Sequence, residues 1–156
     1  MSRYFYKGLF IVVTVLAVFA VIYKTSLHKD SPSVSAEFGG VSLRIDYATT
    51  EAEREKGLGG RTSVPDDYGM LFVFPKDGYY GFWMKDTLIP LDMFWLDDQG
   101  HVVFIERNVA TSTYPDVFYP PVPARYVLET VAGFAGLHLI ATGTPLLLKN
   151  FPSVSQ

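Results

Sequence analysis

The sequence contains no cysteine. This absence excludes disulfide bonds, thiolate metal ligands, a cysteine nucleophile and a lipid-modified N-terminal cysteine. Long runs of lysine or arginine are also missing, and residues 31–156 carry nine basic against fifteen acidic side chains. An acidic segment of this kind is a poor match for a phosphate backbone, so nucleic acid is not expected as a partner.

Histidine is scarce, and the three histidines, His28, His101 and His138, do not show the spacing of a metal site. Three methionines could offer thioethers to Cu(I), but they lie beside Phe and Trp, where core packing explains them better. No metal or cofactor is therefore expected. A Gly-x-Ser-x-Gly nucleophile pattern is also missing.

One long apolar run lies near the N-terminus. Gly8–Tyr23 contains sixteen residues without a charge, and Tyr4–Lys7 extends it to about twenty, the length that spans a bilayer core of roughly 30 Å. A cleaved signal peptide is the alternative, but its apolar region is usually about 7–15 residues and ends in small residues, which are missing directly after Tyr23. We therefore expect residues 1–30 to form an uncleaved signal-anchor helix.

The charges around this run predict its orientation. Arg3 and Lys7 favour a cytoplasmic N-terminus, although Lys24 and Lys29 on the other side weaken the bias. The chain is then a single-pass protein of the cell membrane with an extracytoplasmic C-terminal domain, or a secreted protein if the segment is cleaved. We divide the rest into a tether at 31–36, a globular domain at 37–151 and a tail at 152–156.

Short alternating apolar segments separated by turns predict the fold of this domain. A hairpin is expected around Gly39-Gly40, and the capping-box pattern that begins at Thr50 predicts a short helix near 51–58. Further strands are expected at 70–74, 81–84, 93–96, 101–105, 126–131 and 145–149, with a proline-rich loop at 109–124 and a further helical turn within 132–138. The predicted class is α+β and mainly β, a small curled antiparallel sheet or barrel with one or two short helices.

The turn between two of these strands has the densest mixture of polar and apolar groups. Its candidates for lining a ligand cleft are Trp83, Met84, Lys85, Thr87 and Asp92, and Arg61 and Glu129 are further ligand-binding candidates from outside the turn. Alternatively, Thr87 and Asp92 simply hydrogen-bond the backbone, as such side chains often do in turns.

Glu129 lies in an apolar strand, where its carboxylate needs a partner, for which Arg61, Arg125 and Lys85 are candidates. A structural ion pair is the favoured interpretation. The alternative is that Asp92 and Glu129 form the acid/base pair of a glycoside hydrolase. Aromatic clusters at 78–83 and 114–119 favour contact with sugars, peptides or a partner protein, or else cap the ends of the sheet.

A set of short motifs resembles the domain-of-unknown-function 192 family from about residue 37 to 149: Ala48-Thr49-Thr50, Arg54, Gly57-Leu58, Arg61, Gly69–Phe72, Phe82–Thr87, Pro90-Leu91-Asp92 and Tyr126–Glu129. The resemblance implies a compact, mostly β fold and often an exported or anchored product, but no settled activity. The chain departs from the family pattern at Gly59-Gly60 and at Gly143-Thr144.

These observations favour a non-catalytic binding module of the cell envelope, with a glycan or an extended polymer as its ligand. Two alternatives stay open: a hydrolase that uses Asp92 and Glu129, and a protein-interaction domain of an envelope complex.

Overall fold

The computed structural model describes residues 34–152 and 154. The predicted signal-anchor helix at 1–30 lies outside these residues, as does the first half of the predicted tether. Within the described part, no helix is both long enough and apolar enough to cross a bilayer.

Seven strands form one sheet in the order β5-β4-β6-β3-β2-β1-β7. All neighbours are antiparallel except β2 and β3, which are parallel because the chain crosses over between them through helix α1. The elements are β1 Val34–Phe38, β2 Val41–Ala48, α1 Glu51–Lys56, β3 Tyr68–Gly78, β4 Leu91–Leu96, β5 Val102–Val109, a 3₁₀ turn Thr111–Thr113, β6 Ala124–Val131, α2 Phe134–Leu137 and β7 Leu146–Leu147.

The sheet is strongly curled. Phe38 of β1 and Phe94 of β4 are separated by three strands in the sheet, yet their ring centroids lie 5.1 Å apart. The two edges also meet at one end, where Val102 N–H donates to the Thr144 carbonyl at 3.0 Å and Gly143 N–H donates to the Val102 carbonyl at 2.7 Å. The prediction of a small, curled, mainly antiparallel sheet with short helices is thus confirmed.

Strand β1 spans Val34–Phe38 and forms the first arm of the hairpin expected around Gly39-Gly40, so it includes the last residues of the stretch assigned to the tether. One expectation about the elements was wrong. Residues 81–84 do not form a strand; they contribute a single bridge between Phe82 and Phe118. Their apolar side chains were mistaken for a strand pattern because a loop that covers a sheet face buries apolar residues as well.

Both faces of the sheet are covered, which is why β4 is buried along its whole length. The concave face encloses one core, to which Phe94 and Leu128 contribute together with α2. The convex face carries a second core, built from Met93, Trp95 and Val127 and from loop residues around 82–84. Helix α1 also lies on the convex side, where the candidate site is found.

Candidate functional site

A cavity of about 530 Å³ lies on the convex face, between α1, the end of β3 and the loop at 80–87. Its volume is in the range of small-ligand sites. The walls are mainly apolar and aromatic, and six charged side chains complete the lining: Glu51, Arg54, Glu55, Lys56, Lys85 and Glu129.

Glu129 is the buried acid of this cavity. It is paired in register with Met70 of β3 on one side and with Met93 of β4 on the other, so all three side chains project from the same face of the sheet. The residue is only 4% exposed. Among the described residues, no group donates a hydrogen bond to its carboxyl and no basic side chain forms an ion pair with it.

This environment changes the acidity of Glu129. Burial among apolar side chains removes hydration from the carboxylate and raises the pKa of Glu129 to about 8. At neutral pH the neutral carboxylic acid is therefore the dominant form in the empty cavity. In that form the group can donate a hydrogen bond as well as accept one.

Helix α1 ends directly above this carboxyl. The helix begins with the predicted capping box, in which Glu53 N–H donates to Thr50 Oγ1 at 3.2 Å and Thr50 N–H donates to Glu53 Oε2 at 2.9 Å. It stops at Gly57, whose φ of 47° suits glycine. A Cβ atom at this position would lie 3.2 Å from Phe72 Cζ and 3.6 Å from Glu129 Oε2. The helix end can therefore approach Phe72 and Glu129 closely because Gly57 has no side chain.

Aromatic rings form the walls of the cavity. Phe72 meets Phe82 edge-on with a centroid distance of 4.8 Å, and Phe74 stacks on Tyr80 at 3.5 Å. Arg54 lies over the Phe74 ring and donates to the carbonyls of Thr49 at 2.6 Å and Val73 at 3.0 Å. These bonds tie α1 to β3, so Arg54 holds the helix over the cavity.

The rim is formed by part of the predicted turn. Trp83 is 46% exposed and meets Tyr114 edge-on, and the Lys85 ammonium lies 5.8 Å from the centroid of the Trp83 ring. Thr87 also lines the cavity, and its hydroxyl donates to the Lys85 carbonyl at 3.2 Å. Met84, by contrast, is buried in the convex core and does not line the cavity.

Asp92 lies on the other face of the sheet. It pairs in register with Thr130, whereas its neighbour Met93 pairs with Glu129, and successive side chains of a strand project to opposite faces. Its two oxygens accept hydrogen bonds from Asn108 N–H and Ala135 N–H, both at 2.7 Å. Asp92 therefore anchors the end of β5 and the start of α2. The two acids thus lie on opposite faces of the sheet, which does not fit the alternative interpretation of Asp92 and Glu129 as an acid/base pair.

The predicted ion pair of Glu129 is also missing among the described residues. Arg61 lies 3.7 Å from Asp46 and stacks over Tyr68, and Arg125 pairs with Asp77 at 2.7 Å. Lys85 shares the cavity but lies on Trp83. The favoured interpretation was wrong, because each of the two arginines is paired with another acid.

Sequence reasoning missed the contribution of α1 to the cavity. Glu51, Arg54, Glu55 and Lys56 all line it, yet no residue of the helix is buried, so the helix carries no apolar stripe that would have indicated what it covers. The signal that was available was Gly57, a glycine at the end of a helix and next to an apolar leucine.

The fold and the cavity define a small, mainly β domain with an aromatic-walled site on the convex face of its sheet. The chain belongs to the DUF192 family, described as an uncharacterized ACR, which matches residues 34–148. The resemblance stated from the motifs is thereby confirmed. No curated protein matches the chain.

Two solved structures are similar to this chain. A proposed transcription regulator from Sinorhizobium meliloti 1021 is 31% identical, with a TM-score of 0.66 over 68% of this chain and 81% of that one. A protein of unknown function from Novosphingobium aromaticivorans DSM 12444 is 29% identical, with a TM-score of 0.69 over 78% of this chain and 90% of that one.

Proposed function

We propose that this protein is a membrane-anchored, extracytoplasmic binding module of the cell envelope, and that its convex-face cavity binds a segment of a glycan. The observation that carries the proposal is the convergence of aromatic walls on the Glu129 carboxyl, which has no partner in residues 34–152, in a cavity of about 530 Å³. Binding sites for small ligands typically combine apolar walls with a few polar groups in this way.

A sugar suits these walls better than a purely apolar ligand. Aromatic rings pack against the C–H faces of a sugar ring, while the hydroxyl groups need the polar partners that Glu129 and Lys85 offer. The aromatic surface continues beyond the cavity through three exposed side chains, Trp83, Tyr114 and Tyr119. Tyr119 packs against Gly81 at the edge of the cavity. An extended polymer would thus find contacts outside the cavity too.

Binding is favoured over hydrolysis because Asp92 is unable to act with Glu129 across the sheet. Double-stranded nucleic acid is a poor ligand for this chain. The description of the Sinorhizobium structure as a proposed transcription regulator concerns that protein. Residues 31–156 have six more acidic than basic side chains, which disfavours contact with a phosphate backbone.

The test is a titration of the full-length chain, in a mild detergent, with oligosaccharides of the envelope. Tryptophan fluorescence is a suitable signal because Trp83 lies at the rim. We expect saturable binding that falls about tenfold or more in Trp83→Ala, as when a stacking aromatic is removed from a binding site. Tyr79→Ala is the matched control, since Tyr79 is exposed but does not line the cavity; calorimetry provides the readout for both variants. If no oligosaccharide binds, the proposed function is wrong.

A further inference from the structure

Glu129 combines two properties that rarely occur together in a resting protein. It is nine-tenths buried or more, and it has no partner among the described residues. Removing one partner of a buried ion pair is strongly destabilising, since it leaves an uncompensated charge. A buried acid that opens onto a cavity without such a partner is therefore suited to a partner that arrives with the ligand.

We infer that the cavity recognises a sugar that carries a free amino group, whose ammonium binds the Glu129 carboxylate beneath the end of α1. The inference rests on the binding role proposed above and specifies its ligand. The amino group distinguishes this ligand from the N-acetylated sugars that share its size and its hydroxyl groups.

Three features of the cavity floor favour a cation. Glu129 supplies a full negative charge once it ionises. Helix α1 ends above it at Gly57, where the carbonyl end of a helix favours a cation. The rings of Phe72 and Phe82 line the same space, and aromatic faces attract ammonium groups. A neutral hydroxyl would satisfy the hydrogen bonds of Glu129 but would not compensate its charge.

The basic side chains of the lining leave this position open. Arg54 is held by two backbone carbonyls and by Phe74, and Lys85 lies against Trp83. The other titratable groups that line the cavity are Lys56, Glu51 and Glu55 from α1 and Tyr80 from the facing loop. The residues of β3 and β4 that are paired with Glu129 have no titratable side chain. None of the three basic side chains of the lining forms an ion pair with Glu129 in the described part of the chain, so an incoming ammonium would be the direct partner of its carboxylate.

The experiment measures how tightly the full-length chain binds two tetrasaccharides, the tetramer of glucosamine and the tetramer of N-acetylglucosamine. We expect the glucosamine tetramer to bind about tenfold or more tightly than its acetylated counterpart, the difference typical of a buried charged contact. Glu129→Gln should remove this preference. Glu37→Gln, which replaces an exposed carboxylate outside the cavity lining, should leave it within about twofold.

Proton release gives a second readout that needs only the wild-type chain. At pH 6 Glu129 is protonated in the empty cavity and must ionise to pair with the ammonium, so each bound glucosamine chain should release about one proton, measured by calorimetry in buffers of different ionisation enthalpy. A ligand that only accepts a hydrogen bond from the neutral acid should release none. This readout decides the question even if Glu129→Gln fails to fold.

The failures are distinguishable. Equal or tighter binding of the acetylated tetramer, or binding of glucosamine without proton release, would overturn the amino-sugar inference and leave the binding module intact. Failure of both tetramers, and of the wider panel of oligosaccharides, would overturn the proposed function and the inference together.

Discussion

At the scale of single residues, Glu129 has the largest expected effect on the free energy of unfolding. Its pKa lies near 4.5 when it is exposed, as in the unfolded chain, and near 8 in the fold. Below pH 4.5 both states are protonated and folding costs nothing extra. Between pH 4.5 and 8 the unfolded state is ionised while the folded state keeps its proton, so stability falls by about 1.4 kcal/mol per pH unit; above pH 8 the penalty stays constant.

Glu129→Gln removes this ionisation and should therefore stabilise the domain increasingly as the pH rises from 5 to 8. The difference in unfolding free energy should reach a few kcal/mol at pH 8 and shrink towards zero near pH 4.5. Denaturant unfolding at four pH values measures it. A difference that does not change with pH would show that Glu129 is already ionised in the fold.

Asp92 has the opposite role, because both of its oxygens are already satisfied. Asp92→Asn replaces one acceptor with an N–H₂ group that would face a backbone donor, either Asn108 N–H or Ala135 N–H. We expect a loss of about 1–3 kcal/mol in unfolding free energy, the cost of an unsatisfied buried donor. Ligand affinity should stay unchanged in the folded fraction, since the residue lies on the concave side. Loss of binding without loss of stability would contradict this assignment.

At the scale of elements, helix α1 shows what the sequence could and could not predict. Its start was readable because a capping box is a local pattern, and the strands were readable from short apolar segments. Its position over Glu129 was not readable, since a helix without buried residues gives no information about what it covers. The neighbours of Glu129 were likewise unpredictable, because Met70 and Met93 reach it through the register of distant strands.

The end of α1 can be tested with two glycines that differ in their surroundings. Gly57 and Gly60 both have positive φ, at 47° and 78°, so Ala at either site should cost about 1 kcal/mol of stability. Only at Gly57 would the new methyl group approach Phe72 and Glu129; at Gly60 no atom lies within 4 Å. Gly57→Ala should thus also weaken ligand binding, while Gly60→Ala should not. Equal affinities in the two variants would place the ligand elsewhere.

At the scale of the whole molecule, the curled sheet separates two kinds of polar group. The acid on the concave side is satisfied by backbone donors and helps to hold the fold together, whereas the acid on the convex side opens into a cavity. Asp92 of β4 and Glu129 of β6 lie on two strands that pair with each other. A register shift of one residue decides whether two side chains share a face, and here it separates them.

The last prediction concerns the placement of this domain outside the membrane. Arg3 and Lys7 precede the apolar run, and a short positively charged tail is easier to retain in the cytoplasm than to translocate. In spheroplasts that express the chain with a tag at each end, added protease should therefore remove the C-terminal tag and leave the N-terminal tag protected. A detergent-permeabilised sample, in which both tags are lost, is the control. Loss of the N-terminal tag with protection of the C-terminal tag would reverse the orientation, and protection of both tags in intact spheroplasts would show that the domain is not outside. Recovery in the medium of a chain starting near residue 37 would show a cleaved signal in place of an anchor.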